Sequence, residues 1–337
     1  MRLPAHRARL FILIIIGPSA LALLFAIAVN AYIDPLWIMP SFGDRPGLHY
    51  CVDDERQNKI NKMVHGGVSA NSVLIGSSRS AMFDTRFFVG DRVFNLSVNG
   101  LRPVEYAEYI RMFAQYVGAP RDIYVGFDFF GYILEQGDGA WVDRAKEKEL
   151  ASLAPDYWPS RLVDLGNLKQ SIKTFLHCSS AAYATIPTYR YDGVRSVSAT
   201  PHNKVTIEEQ LKFFRELYKG PVDPNFRDHL ARLKRITSGS TIHVYIPPLS
   251  AELFQTLIAA GRARDYRDWL GIVVEEFGSV IQFSGINSFT TNPTNFYDTH
   301  HIYPALTAKM IAIMEGRIPT DADGFGRRIA AQPQGPD

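Results

Sequence analysis

Between Leu10 and Val29 the chain carries no charged residue, and this stretch sits directly behind Arg2, Arg7 and Arg9. Roughly 20 helical residues at about 1.5 Å each cover the hydrocarbon core of a bilayer, so the segment predicts a membrane-spanning helix. Pro18 follows Gly17 in mid-segment, a pair that lipid-embedded helices accommodate. Arginines before the segment, with Asp34 as the first charge beyond it, orient the N-terminus inward by the positive-inside bias. The predicted layout is a cytoplasmic N-terminus at 1–9, a membrane helix at 10–33, and a body outside the inner (plasma) membrane, periplasmic or extracellular. Membrane lipid is therefore the first partner expected. A cleaved signal peptide competes with this reading, because Ala26-Ile27-Ala28 offers small residues that a signal peptidase accepts. The apolar run is longer than a usual signal core, and Tyr32 to Trp37 supplies aromatic interface anchors, which favours a retained anchor. A buried core helix would not begin behind an arginine cluster and be apolar all round.

The remaining chain has enough apolar mass for a large folded domain: 46% of the 337 residues are hydrophobic and 21% charged. With 36 basic against 34 acidic side chains, the net charge of +2 creates no field that would draw the protein to nucleic acid, and none is expected as a partner. Cys51 and Cys178 form no Cys-x-x-Cys or Cys/His cluster, so neither a zinc site nor a redox motif is suggested. In an oxidising compartment they could form one disulfide; sequence alone does not say whether they are near enough.

Residues 34–47 are rich in Pro and Gly and open a juxtamembrane connector at 34–70, with a polar helix over Asp53–Met63. From 71 to 316 short apolar runs alternate with helical patterns. Strands are predicted at Ser72–Ile75, Val93–Val98, Ile123–Phe127, Ile242–Ile246 and Val280–Phe283. Helices are predicted at Pro103–Tyr116, Ile207–Tyr218, Pro224–Ile236, Ala251–Ala260, Tyr266–Phe277 and Pro304–Glu315. The rhythm fails over about 132–203, which reads as an insertion, and 317–337 reads as a loose tail. Buried strands alternating with helices imply an α/β domain with a mainly parallel sheet, whose ligand site lies at the carboxyl ends of the strands.

Two places there carry chemistry. Val73-Leu74-Ile75-Gly76-Ser77-Ser78-Arg79 is a strand that ends in Gly-Ser-Ser before a helix. A hydroxyl at such a junction reaches solvent beside helix N-terminal amides, although Ser is also an ordinary N-cap. In Asp298-Thr299-His300-His301, a carboxylate and an imidazole three residues apart suit triad chemistry. Asp298 would fix the tautomer of His301, which would take a serine proton. The plain alternative makes Asp298 a cap and the histidines loop residues. A metal held by Asp298, His300 and His301 is the weaker reading, because adjacent histidines seldom converge on one ion without further ligands.

Taken together, these blocks resemble the SGNH (GDSL-type) hydrolase superfamily. The resemblance implies a flavodoxin-like three-layer α/β/α sandwich, Ser78 as nucleophile, Asp298 and His301 as its base pair, and no cofactor or metal. Asn95-Leu96-Ser97-Val98-Asn99-Gly100 is similar to the family's second block and implies an oxyanion hole from the amides of Ser78 and Gly100. Gly126-Phe127-Asp128-Phe129 departs from the third block, placing Asp128 where a donor Asn is expected, and an ionised carboxylate cannot donate. Asn99 could compensate, or Asp128 could cap the strand end or pair with a neighbouring Arg. Arg79 could hold an anionic substrate group, or pair with Asp84 or another carboxylate. The anchored arrangement is similar to bacterial envelope proteins of the alginate O-acetylation and lipoteichoic-acid D-alanylation types. That likeness implies a serine esterase or O-acyltransferase acting on an envelope glycan, partnered by a multi-spanning O-acyltransferase or another membrane complex. A non-catalytic subunit that binds glycan or scaffolds such a complex is the alternative.

Overall fold

A computed structural model describes residues 5–40, 48–134, 140–178, 187–197, 206–321 and 323–331. Its described strands are β1 (Ser72–Ile75), β2 (Val93–Asn95), β3 (Asp122–Gly126), β4 (Thr188–Tyr189), β5 (Arg195–Ser196), β6 (Thr241–Ile246), β7 (Ser279–Gln282) and β8 (Arg327–Ala330). Six of them form one sheet in the order β2-β1-β3-β6-β7-β8, parallel except for β8. Strands β4 and β5 form a separate antiparallel pair. The protein is thus a mixed α/β fold with a mostly parallel sheet.

The apolar runs are continuous rather than alternating because both faces of the sheet are buried. Successive side chains point to opposite faces. Val73, Ile75, Ile123, Val125, Val244 and Val280 join one apolar cluster, in which Tyr109, Phe113, Leu230 and Trp269 come from the helices Pro103–Tyr116, Phe226–Ile236 and Ala263–Phe277. Leu74, Tyr124, Tyr245 and Ile281 join the other, with Met310 and Ile311 from the helix Thr307–Met314. Helix ends follow local chemistry: Thr206 and Glu209 form a capping box for Ile207–Leu217, and Ser250 caps Ala251–Ala259. Pairing runs on past the end of β2, since the Leu96 N–H donates to the Leu74 carbonyl at 2.8 Å.

Three segments differ from the sequence expectations. Over 317–337 the chain is not loose throughout: Phe325 is fully buried and stacks on Phe289 with ring centroids 4.5 Å apart, and β8 pairs antiparallel with β7. One aromatic anchor holds a segment that its Gly-rich composition made look unstructured; residue 322 and residues 332–337 lie outside the described part. The connector is not a tether. Asp34 accepts the Ile38 and Met39 N–H groups at 2.8 and 3.0 Å and the Tyr191 hydroxyl at 3.1 Å, holding a sharp turn in which Asp34 and Trp37 have φ of 52° and 58°. Such left-handed backbone is costly for residues with a Cβ, so the surrounding contacts must over-determine it. Trp37 is wholly buried among Tyr50, Tyr189 and Tyr191. The polar helix that follows runs Glu55–Val64.

The insertion has regular structure of its own: helices Ala140–Leu153, Tyr157–Val163 and Leu165–Lys173, a π-helical turn Thr174–Cys178, and the β4–β5 pair. It grips the end of the long first helix, Ala5–Ile33. The Asn30 amide donates to the Leu162 carbonyl at 2.8 Å, and the Ser171 hydroxyl donates to Asn30 Oδ1 at 2.9 Å. Cys51 and Cys178 are joined by a disulfide that bridges the connector to the insertion across 127 residues. Closing a loop of that length removes much unfolded-chain entropy, so replacing both cysteines by serine is expected to lower stability by about 3 kcal/mol. Urea unfolding of the detergent-solubilised full chain, with and without reductant, measures it. Equal midpoints would show the bridge to be energetically idle.

Candidate active site

β1 ends at Ile75, and Gly76 leads into Ser77, which caps the short helix Ser78–Ala81 by accepting the Arg79 N–H at 3.2 Å. Gly76 and Gly126 are required here, because a Cβ on either would collide with the Ser80 hydroxyl. That hydroxyl in turn accepts a hydrogen bond from the buried Tyr245 hydroxyl at 2.9 Å. From the end of β2, Asn95 donates to the carbonyls of Ser80 and Phe83 at 3.0 and 3.1 Å, which secures the C-terminal side of the turn. Ser78 is therefore presented at the carboxyl end of a central strand, as the parallel topology leads one to expect.

Asp298 and His301 arrive from the loop before the last helix. The Asp298 carboxylate accepts the backbone N–H groups of His300 and His301 at 2.8 and 2.7 Å and meets His301 Nδ1 at 2.6 Å. His301 Nε2 lies 2.8 Å from Ser78 Oγ. All three residues are buried, although 223 positions separate the serine from the histidine. Tyr297 stacks on the His301 ring with planes 9° apart, which holds the imidazole in its plane. Gln210, on the helix after the insertion, accepts both the backbone N–H and the hydroxyl of Thr299 at 3.1 and 2.9 Å and so steadies the same loop.

The electrostatics follow from burial and pairing. Burial alone would raise the Asp298 pKa, but the imidazoles of His301 and His300 and its hydrogen bonds hold the carboxyl well below the usual carboxylate range. Burial pushes His301 below its ordinary value of 6.5, with Asp298 opposing the shift. His301 is accordingly neutral near pH 7, able to receive a proton at Nε2 while Nδ1–H faces the carboxylate. His300 is also pushed down, chiefly by burial and then by His301.

A cavity of about 260 Å³ opens beside this array, with Ser78, Gly100, Arg102, Phe130, Phe214 and His300 in its walls. Gly100 adopts φ of 62°, a backbone position that favours glycine. Asn99 lies exposed at the rim, and its backbone is clamped: its N–H donates to Glu55 at 2.7 Å, and its carbonyl accepts from Arg56 at 2.8 Å. Arg79 also lines the cavity, but its guanidinium pairs with Asp128 at 2.5 Å and lies by the faces of Phe130 and Phe214. Of the partners weighed for Arg79, the structure selects Asp128; Asp84 pairs instead with Arg86 and Arg190. Asp128, 4% exposed, is committed to that ion pair rather than to the cavity, which corrects its expected place among substrate contacts. Sequence placed the two residues near one site, but only folding could show that each satisfies the other.

Candidate ligand atoms of Asp298, His300 and His301 lie within 4.8 Å of one another, a spacing that a metal ion could use. Both ring nitrogens of His301 are already engaged, one by Asp298 and one by Ser78, so ligation would break the hydrogen-bonded chain. No family model matches this sequence, and no curated protein does either. The site therefore has to be read from its own geometry.

Sequence reasoning missed the residues that brace the site. Lys59, fully buried, donates to the carbonyls of Asn95, Ser97 and Gly193 at 2.7, 2.5 and 2.8 Å, tying together the connector, the loop after β2 and the insertion. Nothing local marks it, because a lysine in a polar helix reads as solvated. Asn95 left a faint signal, a polar side chain closing an apolar strand.

Proposed function

We propose that the protein is a membrane-anchored, extracytoplasmic serine esterase or O-acyltransferase whose catalytic triad is Ser78, His301 and Asp298. The observation that carries this reading is the unbroken chain from Ser78 Oγ through both His301 nitrogens to Asp298, at 2.8 and 2.6 Å. In the proposed cycle His301 Nε2 takes the serine proton as Oγ bonds to the ester carbonyl carbon. The tetrahedral intermediate collapses, and the proton passes from His301 to the departing alcohol. Water or a glycan hydroxyl then attacks the acyl-serine, again losing its proton to His301, and serine is restored. As the first residue of its helix, Ser78 has an N–H with no intrahelical acceptor, which with the Gly100 N–H offers an oxyanion hole.

The five parallel strands run in the order second, first, third, fourth, fifth, with both faces covered, which supports a flavodoxin-like three-layer reading and the SGNH resemblance. The modest cavity suits a short acyl group with part of its carrier. A disulfide supports an oxidising compartment, hence a body outside the cytoplasm. The resemblance adds an envelope glycan as acceptor and a multi-spanning O-acyltransferase as partner.

A serine-reactive fluorophosphonate should label the full-length protein in detergent, and Ser78→Ala should not be labelled. Labelling that persists in Ser78→Ala, or fails in the native chain at neutral pH, rejects the nucleophile. The labelling rate should fall as acid protonates His301, with its midpoint below 6.5 because burial lowers that pKa. A midpoint above 6.5 would mean that Asp298 outweighs burial. The Asp128–Arg79 pair, standing where a donor Asn is expected, favours a second reading: a non-catalytic subunit that binds glycan or scaffolds a membrane complex. Inert Ser78 with retained glycan binding would select it.

A further inference from the structure

The long first helix does not stand clear of the body. A groove of about 780 Å³ runs between its end and the insertion, walled by Phe25, Ala28 and Tyr32 on one side and Ile172, Phe175 and Leu176 on the other. Phe175 and Leu176 are 61% and 56% exposed, unusual for large apolar side chains on a folded domain. They extend a stripe. Leu165, Leu168, Ile172 and then Phe175 and Leu176 recur at three- and four-residue spacing along Leu165–Lys173 and its π-helical continuation.

The other sides of this segment are accounted for. Ser171 bonds Asn30, Gln170 bonds the Cys51 carbonyl, and Cys178 is disulfide-bonded to Cys51, so one side faces the body. Lys169 and Lys173 flank the stripe, with Lys173 reaching Asp53 at 3.5 Å. An apolar stripe with basic residues along its edge is the pattern of a helix lying in a membrane interface.

We infer that the insertion segment Leu165–Cys178 is an interfacial platform, immersed in the headgroup boundary of the same bilayer that the first helix spans. The inference rests on that spanning reading, which also sets the depth. If Leu10–Val29 fills the hydrocarbon core, the four residues from Phe25 to Val29 rise through its outer ~6 Å, at about 1.5 Å each. The groove residues facing Phe25 and Ala28 sit at that level, and interfacial helices sink their apolar faces about 5–10 Å. Lipid is the occupant favoured, because half of the groove wall is the membrane helix itself and basic side chains edge the stripe towards anionic headgroups. The domain is then held on the bilayer at two places rather than swinging from one.

The chain's two cysteines are bonded to each other, so an introduced cysteine is the sole free thiol. Full-length Phe175→Cys, Leu176→Cys, Leu21→Cys and Ile286→Cys, each carrying an environment-sensitive fluorophore, would be reconstituted in phosphatidylethanolamine/phosphatidylglycerol vesicles. Nitroxide-bearing lipids and aqueous iodide serve as competing quenchers. The expected result is lipid quenching at positions 21, 175 and 176, with iodide quenching at 286, an exposed residue in the loop after β7. Lipid quenching at 21 with iodide quenching at both 175 and 176 overturns the platform alone and leaves the groove for a protein partner. Shielding of 175 and 176 from both quenchers also overturns it, in favour of a second copy. Loss of lipid quenching at 21 sinks the spanning reading, and the platform with it.

Discussion

Ester turnover by Ser78→Ala is expected to fall by about 10⁴-fold or more, and His301→Ala is expected to fall about as far. The two losses should not add. Once the serine is gone the imidazole has no proton to take, so the double variant should be no slower than either single one within a few-fold. Multiplying losses would mean that the residues act independently, which the 2.8 Å contact between Nε2 and Oγ does not allow for a shared proton. Asp298→Asn is expected to be gentler in stability than in rate. It preserves shape and keeps an oxygen for the His300 and His301 N–H groups, but it presents an amide to Nδ1 and so favours the wrong tautomer. Steady-state hydrolysis of a chromogenic short-chain ester, with circular dichroism to verify folding, measures all four variants.

The largest expected effect on stability is at Lys59. Its ammonium is fully buried and satisfies three carbonyls, from Asn95, Ser97 and Gly193. Lys59→Ala leaves those carbonyls without their donor and opens a cavity, and is expected to cost about 4 kcal/mol or more. Lys59→Met fills the space but not the hydrogen bonds, and should fall between alanine and the native chain. Because Asn95 also braces the turn that carries Ser78, the methionine variant should lose turnover as well as stability.

The pH dependence distinguishes charge from packing. Burial pushes the Lys59 pKa down from 10.5 to about 7, so between those values the unfolded chain binds more protons than the folded one. Stability therefore gains a rising contribution as pH climbs through that window, and both Lys59 variants should lose it. An unchanged slope in Lys59→Met would show that the amine stays charged in the fold through this range. Urea midpoints at several pH values decide the matter.

Several elements were legible in the chain itself. The run Ser72–Ile75, buried on both faces, reads directly as a strand because four consecutive apolar-compatible residues stop at a glycine. Pro103 opens a helix whose aromatic and aliphatic positions fall on one side, and its bounds were predicted to the residue. Candidate chemistry was equally local. Gly-Ser-Ser at a strand end and Asp-x-x-His before a helix are patterns in which each residue's task depends on near neighbours. Bounds elsewhere shifted by a few residues; the last helix, for example, begins at Thr307 after a 3-10 turn at Pro304–Leu306.

What lay beyond the sequence depends on contacts between distant segments. The uncharged length from Leu10 to Val29 was enough to prescribe a helix fit to cross a membrane, and periodicity was enough to prescribe an α/β body, because both follow from hydration of side chains within one window. Tertiary structure alone decided that Ser78 meets His301, that Arg79 answers Asp128, that Cys51 reaches Cys178, and that Lys59 is buried instead of solvated. Each of these is a pairing across tens to hundreds of residues, and its free energy comes from removing two groups from water together. No single stretch of chain carries that quantity, so no reading of one stretch could supply it.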